Sequence, residues 1–315
     1  MRILVTGGSG FIGSHLVEHF QKAEVRVLDN LRSGFRANLA GLDCEFVEGS
    51  VLDRDTVRAA MGGVDYVFHL AAMISVPESM QNPVGCAETN TIGTLIVLEE
   101  AARAGVKKLI LSSSAAIYGK NPVVPKHEAM IPEPASPYAI SKLDGEYYCQ
   151  LFAETGRLAT VALRYFNVFG PRQNPASAYA AAVPIFIHRA LHNEPITIYG
   201  DGEQTRDFVF VRDIARANAF FATESPLTGV FNVARGGALS IGELAEQIVS
   251  LTGSKSGIIY GPERPGDVRH STASLEKLAA AGFAARADFD TALRETIRSC
   301  QTTPCPPASD LRTRK

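Results

Sequence analysis

The sequence predicts an α/β protein, a doubly wound parallel sheet followed by a smaller C-terminal lobe. Three observations point there. Short, nearly continuous apolar runs alternate with longer helical patterns through the first half of the chain, a glycine-rich turn closes the first run, and after about residue 170 the alternation loosens into GPRQNPASAYAAAVP. Strands covered on both faces read as unbroken apolar runs, and intervening helices bring the chain back to start each strand in the same direction.

The strand runs are RILVT (2–6), VRVLD (25–29), CEFVE (44–48), YVFHL (66–70), KLILS (108–112) and ATVALR (159–164). Beyond the loop, the pattern predicts a helix near 184–192, a strand at ITIYG, a helix over 212–222, a strand at VFNV, a helix over 241–251 and a last helix near 288–300. The expected division is 1–170 for the sheet domain, with later segments returning to it, 171–300 for the lobe, and 301–315 for a flexible tail. The tail, QTTPCPPASDLRTRK, has no apolar period.

A formal net charge of -2 offers no basic face to nucleic acid or an anionic membrane. The five cysteines (Cys44, Cys86, Cys149, Cys300, Cys305) are scattered and form no C-x-x-C pair, which suits a reducing compartment. The chain opens straight into MRILVTGG and contains no apolar run near the ~18 residues of a membrane span. A soluble cytoplasmic protein, with neither nucleic-acid nor membrane partners, is expected.

VTGGSGFIG places Gly7, Gly10 and Gly13 between a strand and a helix starting near Phe11. Glycines there also serve a simple tight turn, but before a helix they let backbone N–H groups approach a pyrophosphate. Asp29 ends the second strand, where a carboxylate accepts from both ribose hydroxyls and repels a 2'-phosphate, favouring NAD over NADP. Arg32 and Arg36 lie close enough to leave NADP in view. These features make the sheet Rossmann-type.

SPYAISK sets Tyr138 and Lys142 at i and i+4, on one helix face, with Ser136 as N-cap and Pro137 in the first turn. An ammonium beside a phenol stabilises phenolate and turns it toward a general base.

These motifs, with HLAA, SSS…YG, RYFNVFGP, GDGEQTRDFVFVRD and RPGD, span almost the whole chain. The chain resembles the extended short-chain dehydrogenase/reductase family, in its NAD-dependent nucleotide-sugar epimerase/dehydratase branch. The resemblance implies a catalytic triad of Ser114, Tyr138 and Lys142. It also implies NAD contacts from Gly7, Gly10, Phe11, Ile12, Gly13, Asp29, Asn30, Ser33, Ser50, Val51, Leu70, Ala71, Ala72, Asn90, Ser112, Tyr138, Lys142 and Tyr165. Ser50 stands where many relatives carry an Asp that contacts the adenine amino group.

In this branch Tyr takes the sugar 4-hydroxyl proton while C4 passes hydride to the nicotinamide. Dehydratases then use an Asp–Glu pair just after the last hydroxyl residue, and related decarboxylases keep a Glu. Here those positions are Ala115 and Ala116, which have no proton to move. Hydride return to the other face of the keto sugar remains, and the net reaction is 4-epimerisation.

For the UDP-sugar, the resemblance implies contacts from Ser114, Tyr138, Asn167, Ala181, Ala182, Val183, Tyr199, Arg206, Arg264, Asp267 and Ser271. Arg206 and Arg264 clamp the diphosphate, Tyr199 lies against uracil, and Asp267 accepts from ribose. Ser271 and Ala181 stand where restricted relatives carry Tyr and Asn, leaving room for an acetamido group, while Ile74 narrows one wall. UDP-GlcNAc/UDP-GalNAc, alongside UDP-Glc/UDP-Gal, are the expected substrates. The alternatives are a UDP-glucuronate 4-epimerase and a non-catalytic NAD-binding regulator, although regulators of this fold typically lose the Tyr or the Lys.

His15 and His69 read as structural, and His188 with His192 lack a third ligand for a metal. Cys149, on the Tyr138 helix, reads as a packed residue. By resemblance, helices near 85–104 and 138–155 pair in a homodimer.

Overall fold

The computed structural model describes residues 1–175, 181–263 and 268–302. The six apolar runs form parallel strands β1 (Arg2–Thr6), β2 (Glu24–Asp29), β3 (Glu45–Glu48), β4 (Tyr66–His69), β5 (Lys108–Ser114) and β6 (Ala159–Tyr165). A seventh strand, Gly229–Val233, returns from the second half of the chain to pair with β6. The sheet order is Gly229–Val233, β6, β5, β4, β1, β2, β3. Strand order reverses between β1 and β4, so a crevice opens at their carboxyl ends, where α/β folds place ligands.

Side chains alternate between two buried layers, which explains why the runs read as unbroken. Ile3, Val5, Val27, Ile110 and Leu163 face one layer with helices Phe11–His19 and Val211–Thr223. Leu4, Leu28, Leu109, Leu111 and Ala162 face the other, with helices Arg54–Ala60, Gly93–Arg103 and Pro137–Glu154. β5 runs two residues past the expected end. Ser112, Ser113 and Ser114 stay paired with Leu163, Arg164 and Tyr165, so the three hydroxyls are strand residues rather than loop.

The lobe expected over 171–300 is interrupted, because helix Val211–Thr223 and strand Gly229–Val233 pack into the sheet domain. The rest has its own core, built from Phe169, Phe186, Ile187, Ile198, Leu244, Ile248, Leu293 and Ile297. Its helices are Ala182–Leu191, Ile241–Thr252 and Phe289–Thr302. Ile241–Thr252 starts with a capping box between Ser240 and Glu243 and ends at Gly253 with φ 63°.

Two buried carboxylates stitch lobe to sheet. Asp207 accepts backbone N–H bonds from Arg235 and Gly236 (3.0 Å each) and Ala273 (3.4 Å). Asp213 accepts from Arg286 (3.1 Å) and Ala287 (2.9 Å). The last helix runs to Thr302, and the tail expectation for 303–315 lies outside the described residues, as do Arg264 and Asp267. Among the described residues, no helix is long and apolar enough to cross a membrane.

Candidate active site

β1 ends in a turn that only glycine fits. Gly7 has φ 72°, and a Cβ there would lie 2.7 Å from the Ala71 nitrogen. At Gly13 a Cβ would meet the Gly7 carbonyl oxygen at 2.2 Å. Gly10 is the N-cap of helix Phe11–His19 and offers no side chain, so the first-turn N–H groups face the crevice without a capping oxygen. A missing Cβ, open N–H groups and a dipole's positive end together suit a dinucleotide pyrophosphate. Phe11 and Ile12 point into the lobe core, which leaves their backbone for that role.

Asp29, at the end of β2, is nearly buried. Its Oδ2 accepts from Ser9 N (2.9 Å) and its Oδ1 from Leu31 N (2.8 Å). Burial raises its pKa, while those N–H bonds hold the carboxylate form. Both nearby arginines are engaged elsewhere: Arg32 with Glu78 at 2.5 Å, and Arg36 stacked 4.0 Å over Phe46. That weighs against NADP.

Asn30 and Ser33 are exposed at the same edge. The Ser50 hydroxyl accepts from Leu52 N (3.2 Å), closing its own turn, and Val51 is buried where a Cβ on Gly93 would strike it at 2.8 Å.

A directed hydrogen-bond chain sets the loop after β4. Leu70 and Ala71 donate to Thr6 Oγ1 at 3.2 and 3.3 Å, so the Thr6 hydroxyl proton goes to His69 Nδ1 (2.7 Å). His69 is therefore the Nε2–H tautomer and donates to Thr94 Oγ1 (2.9 Å), which donates to the Asn90 carbonyl (2.5 Å). Full burial lowers the His69 pKa to about 3, so it stays neutral. The structural reading of this histidine holds.

Asn90 spends its amide on the protein. Oδ1 accepts from Met73 N (2.7 Å), and Nδ2 donates to Met73 O (3.0 Å) and Ser141 Oγ (2.9 Å). It lies in a π-helical turn, Glu88–Ile92, a local distortion frequent at functional sites. These bonds also brace the segment that follows Leu70, Ala71 and Ala72. Ile74, beyond that loop, is 64% exposed.

The expected triad converges at the end of β5. Ser136 caps helix Pro137–Glu154 through Ala139 N (3.2 Å), with Pro137 at its first position. One turn later, Lys142 Nζ lies 5.8 Å from the centre of the Tyr138 ring and donates to Ser112 O (2.8 Å). Burial raises the Tyr138 pKa, and a hydrogen bond to the Ser114 side chain opposes it. Burial lowers Lys142 to about 8, countered by nearby Cys86 and Glu146.

Ser114 Oγ also accepts from Ala116 N (3.1 Å) and caps the short turn Ala115–Tyr118. The expected Ser112 and Tyr165 sit behind the triad, with Tyr165 bonded to Asn218 Oδ1 (3.0 Å) and to Ser112.

The expected UDP-sugar residues sit on short lobe elements. Arg206 and Ser271 are register partners in two-residue strands, and Arg206 Nη1 donates to Thr205 O (2.9 Å). Asn167 N donates to Asp207 O (3.0 Å), bringing the RYFN motif beside TRDF. Tyr199 is 40% exposed at the end of Ile196–Tyr199. Ala181 is the exposed N-cap of helix Ala182–Leu191. The Val183 side chain lies in the lobe core, so a substrate role for it is confined to its backbone.

His188 and His192 stack on one another at 4.4 Å, and among the described residues no three metal-ligating side chains cluster. The sequence reading missed Thr6, Thr94, Glu146 and Arg164. Two carried a signal: Glu146 lies four residues after Lys142 on the same face, and Arg164 is a charge inside an apolar strand run.

Known proteins share this fold over nearly the whole chain. UDP-N-acetylglucosamine 4-epimerase from Methanobrevibacter ruminantium, solved in complex with UDP-N-acetylmuramic acid, is 42% identical, with TM-score 0.92, covering 96% of this chain and 98% of that one. UDP-glucose 4-epimerase from Thermus thermophilus, solved with NAD, is 37% identical, with TM-score 0.88, covering 96% and 99%. UDP-glucose 4-epimerase of Mycolicibacterium smegmatis is 39% identical over 281 residues, 86% of this chain and 89% of its own length. Residues 3–234 match the model of the NAD dependent epimerase/dehydratase family, and the chain belongs to that family.

Proposed function

We propose that this protein is an NAD-dependent UDP-sugar 4-epimerase that interconverts UDP-GlcNAc with UDP-GalNAc and UDP-Glc with UDP-Gal. The observation that carries the reading is the end of β5. Ser114 meets Tyr138 there, beside Lys142, and the next two residues are Ala115 and Ala116. Bound NAD supplies a reversible hydride acceptor for C4.

Gly7, Gly10, Gly13 and Asp29 hold the cofactor, with support from the Thr6–His69–Thr94–Asn90 chain. Tyr138 accepts the 4-hydroxyl proton, and Ser114 donates a hydrogen bond to O4 as the carbonyl forms. Lys142, cationic below about pH 8, holds the phenolate. Arg206 grips the diphosphate while the keto sugar turns to present its other face, and Tyr138 then returns the proton to O4. Ala115 and Ala116 give no acid–base route to water loss or decarboxylation.

The small side chains of Ser271 and Ala181 support acetamido sugars, and the relatives' own substrates support both sugar types. Arg264 and Asp267 complete the nucleotide contacts in this proposal. A homodimer is part of it. Ile140, Tyr147 and Leu151 form an exposed stripe on helix Pro137–Glu154, with exposed Val84 and Ile92 nearby in sequence on Pro83–Ala87 and Glu88–Ile92. Light scattering at micromolar concentration should give twice the chain mass, and a monomer contradicts the pairing.

The direct test presents UDP-GlcNAc, UDP-Glc and UDP-glucuronate separately and resolves the products. Conversion of the first two is expected. Conversion of UDP-glucuronate alone overturns the substrate assignment, and no conversion of any of them overturns the reaction.

A further inference from the structure

A buried ion pair lies directly behind the triad. Glu146 sits one turn after Lys142 on the same helix, and its side chain is 3% exposed; Arg164, from β6, is 5% exposed. The contact is bidentate. Arg164 Nη2 donates to Glu146 Oε2 at 2.7 Å and Nε to Oε1 at 2.9 Å. Ser113, the residue before Ser114 on β5, donates its hydroxyl to Glu146 Oε1. One carboxylate therefore ties the helix carrying Tyr138 and Lys142 to the strand carrying Ser114 and to the next strand.

The network continues on the far side. Arg164 Nη1 donates to the Tyr118 hydroxyl (2.9 Å), which donates to Asn232 Oδ1 (2.7 Å). Asn232 Nδ2 donates to Lys126 O (3.0 Å), and Asn232 N donates to Glu128 Oε1 (2.7 Å). Tyr118 ends the turn that begins with Ala115 and Ala116. The pair thus reaches from behind Ser114, through the residues that follow it, to the segment at 126–128.

Stability alone is a weak account of such a pair. Desolvating two charges often cancels their attraction, and well-packed neutral replacements are frequently no less stable. What the pair supplies is direction: an Arg fork on a carboxylate fixes both partners in plane.

We propose that Glu146 and Arg164 are positioning residues for the Ser114–Tyr138–Lys142 triad, with Ser113 as the link to the catalytic strand. The inference rests on the epimerase reading. It adds that proton transfer depends on the registry of helix against strand set by this pair.

The test compares the neutral double variant Glu146→Gln/Arg164→Met with the single variant Glu146→Gln. Both side chains also border a cavity of about 1210 Å³ lined by Met130, Leu143, Gln150 and Val230. That space gives the replaced groups room to relax or take up water. The double variant is expected to recover the melting midpoint that the single variant loses. Its kcat should nevertheless fall roughly 10–100-fold, the scale of a small misplacement of reacting groups, with KM within about twofold. Amide exchange should rise at Ser114–Ala116 and Tyr138–Lys142.

A double variant with wild-type kcat and wild-type exchange overturns the proposal. If the double variant does not fold, Ser113→Ala decides. It removes the strand link and leaves the ion pair intact, and kcat should drop about threefold or more with the midpoint kept. Unchanged kcat for a folded Ser113→Ala overturns the positioning role. A wild-type enzyme inactive on every UDP-sugar would refute the epimerase reading instead, while the exchange comparison still judges the pair.

Discussion

The crevice at the carboxyl end of the sheet and the lobe that faces it are built in different ways. In the sheet half, the groups expected to do chemistry are buried and held in place. Asp29 takes two backbone N–H bonds, Lys142 Nζ is anchored on the Ser112 carbonyl, and the Asn90 amide is bonded on both sides. In the lobe, Arg206 and Ser271 sit on two-residue strands, and Tyr199 and Ala181 are exposed at element ends. The difference teaches a division of labour. In the function proposed, the reaction is preorganised on long strands and a helix, where small displacements are costly, and sugar choice falls to small side chains on short elements, where substitution is cheap.

The strongest way to break that comparison is Tyr138→Phe. It should lower kcat by about 10²–10⁴-fold, the usual share of a general base, without moving the melting midpoint. Unchanged epimerisation would remove Tyr138 from the chemistry. Gly7→Ala comes next, because the new methyl strikes Ala71 N at 2.7 Å from a left-handed backbone. NAD affinity measured by calorimetry should fall roughly 100-fold, on the scale of a few kcal/mol of strain and lost contact.

Lobe substitutions should instead act on binding. Arg206→Ala should raise KM for UDP-sugars about 10–30-fold, as loss of a charged hydrogen bond does, and leave kcat nearly unchanged. Ser271→Tyr should cut kcat/KM for UDP-GlcNAc about tenfold relative to UDP-Glc, the scale of a steric mismatch in a pocket. Equal losses on both sugars would show that Ser271 does not face the acetamido group.

The smallest effects are set by pH. Burial holds Lys142 near 8, so its cation is lost as pH rises through that value, and kcat/KM should decline on the alkaline side from about pH 8. Buried His69 works in the other direction. Its folded pKa of about 3 lies below the ordinary histidine value of 6.5, so the unfolded chain binds a proton that the fold refuses. Stability from this group is complete above pH 6.5 and is lost as pH falls from 6.5 toward 3. His69→Gln should flatten that part of a melting-temperature profile.

Much of the sheet half was legible because its signals are local and periodic. All six apolar runs became strands, and the glycine turn, the Ser136 cap and the Tyr138–Lys142 spacing each depend on a few adjacent residues. The parts that were not legible depend on distant partners. Nothing local to VFNV says that it returns to pair with β6, and nothing in YVFHL says that His69 bonds Thr6 and Thr94. β5 outran its expected end because Ser112, Ser113 and Ser114 meet β6, a neighbour 51 residues away in register. Asn90 and Val183 show the same limit: a motif position names a neighbourhood, and says nothing of the partners a buried side chain finds inside the protein.

The central claim is that the hydride goes back and nothing else happens to the sugar. It is tested most directly by running UDP-GlcNAc with the NAD-loaded enzyme in deuterated water and reading the product by NMR and mass. The account predicts UDP-GalNAc with no carbon-bound deuterium at C4 or C5, since the C4 hydrogen leaves and returns as hydride and Ala115 and Ala116 move no proton at C5. Deuterium at C5, or a 6-deoxy-4-keto product, would contradict it.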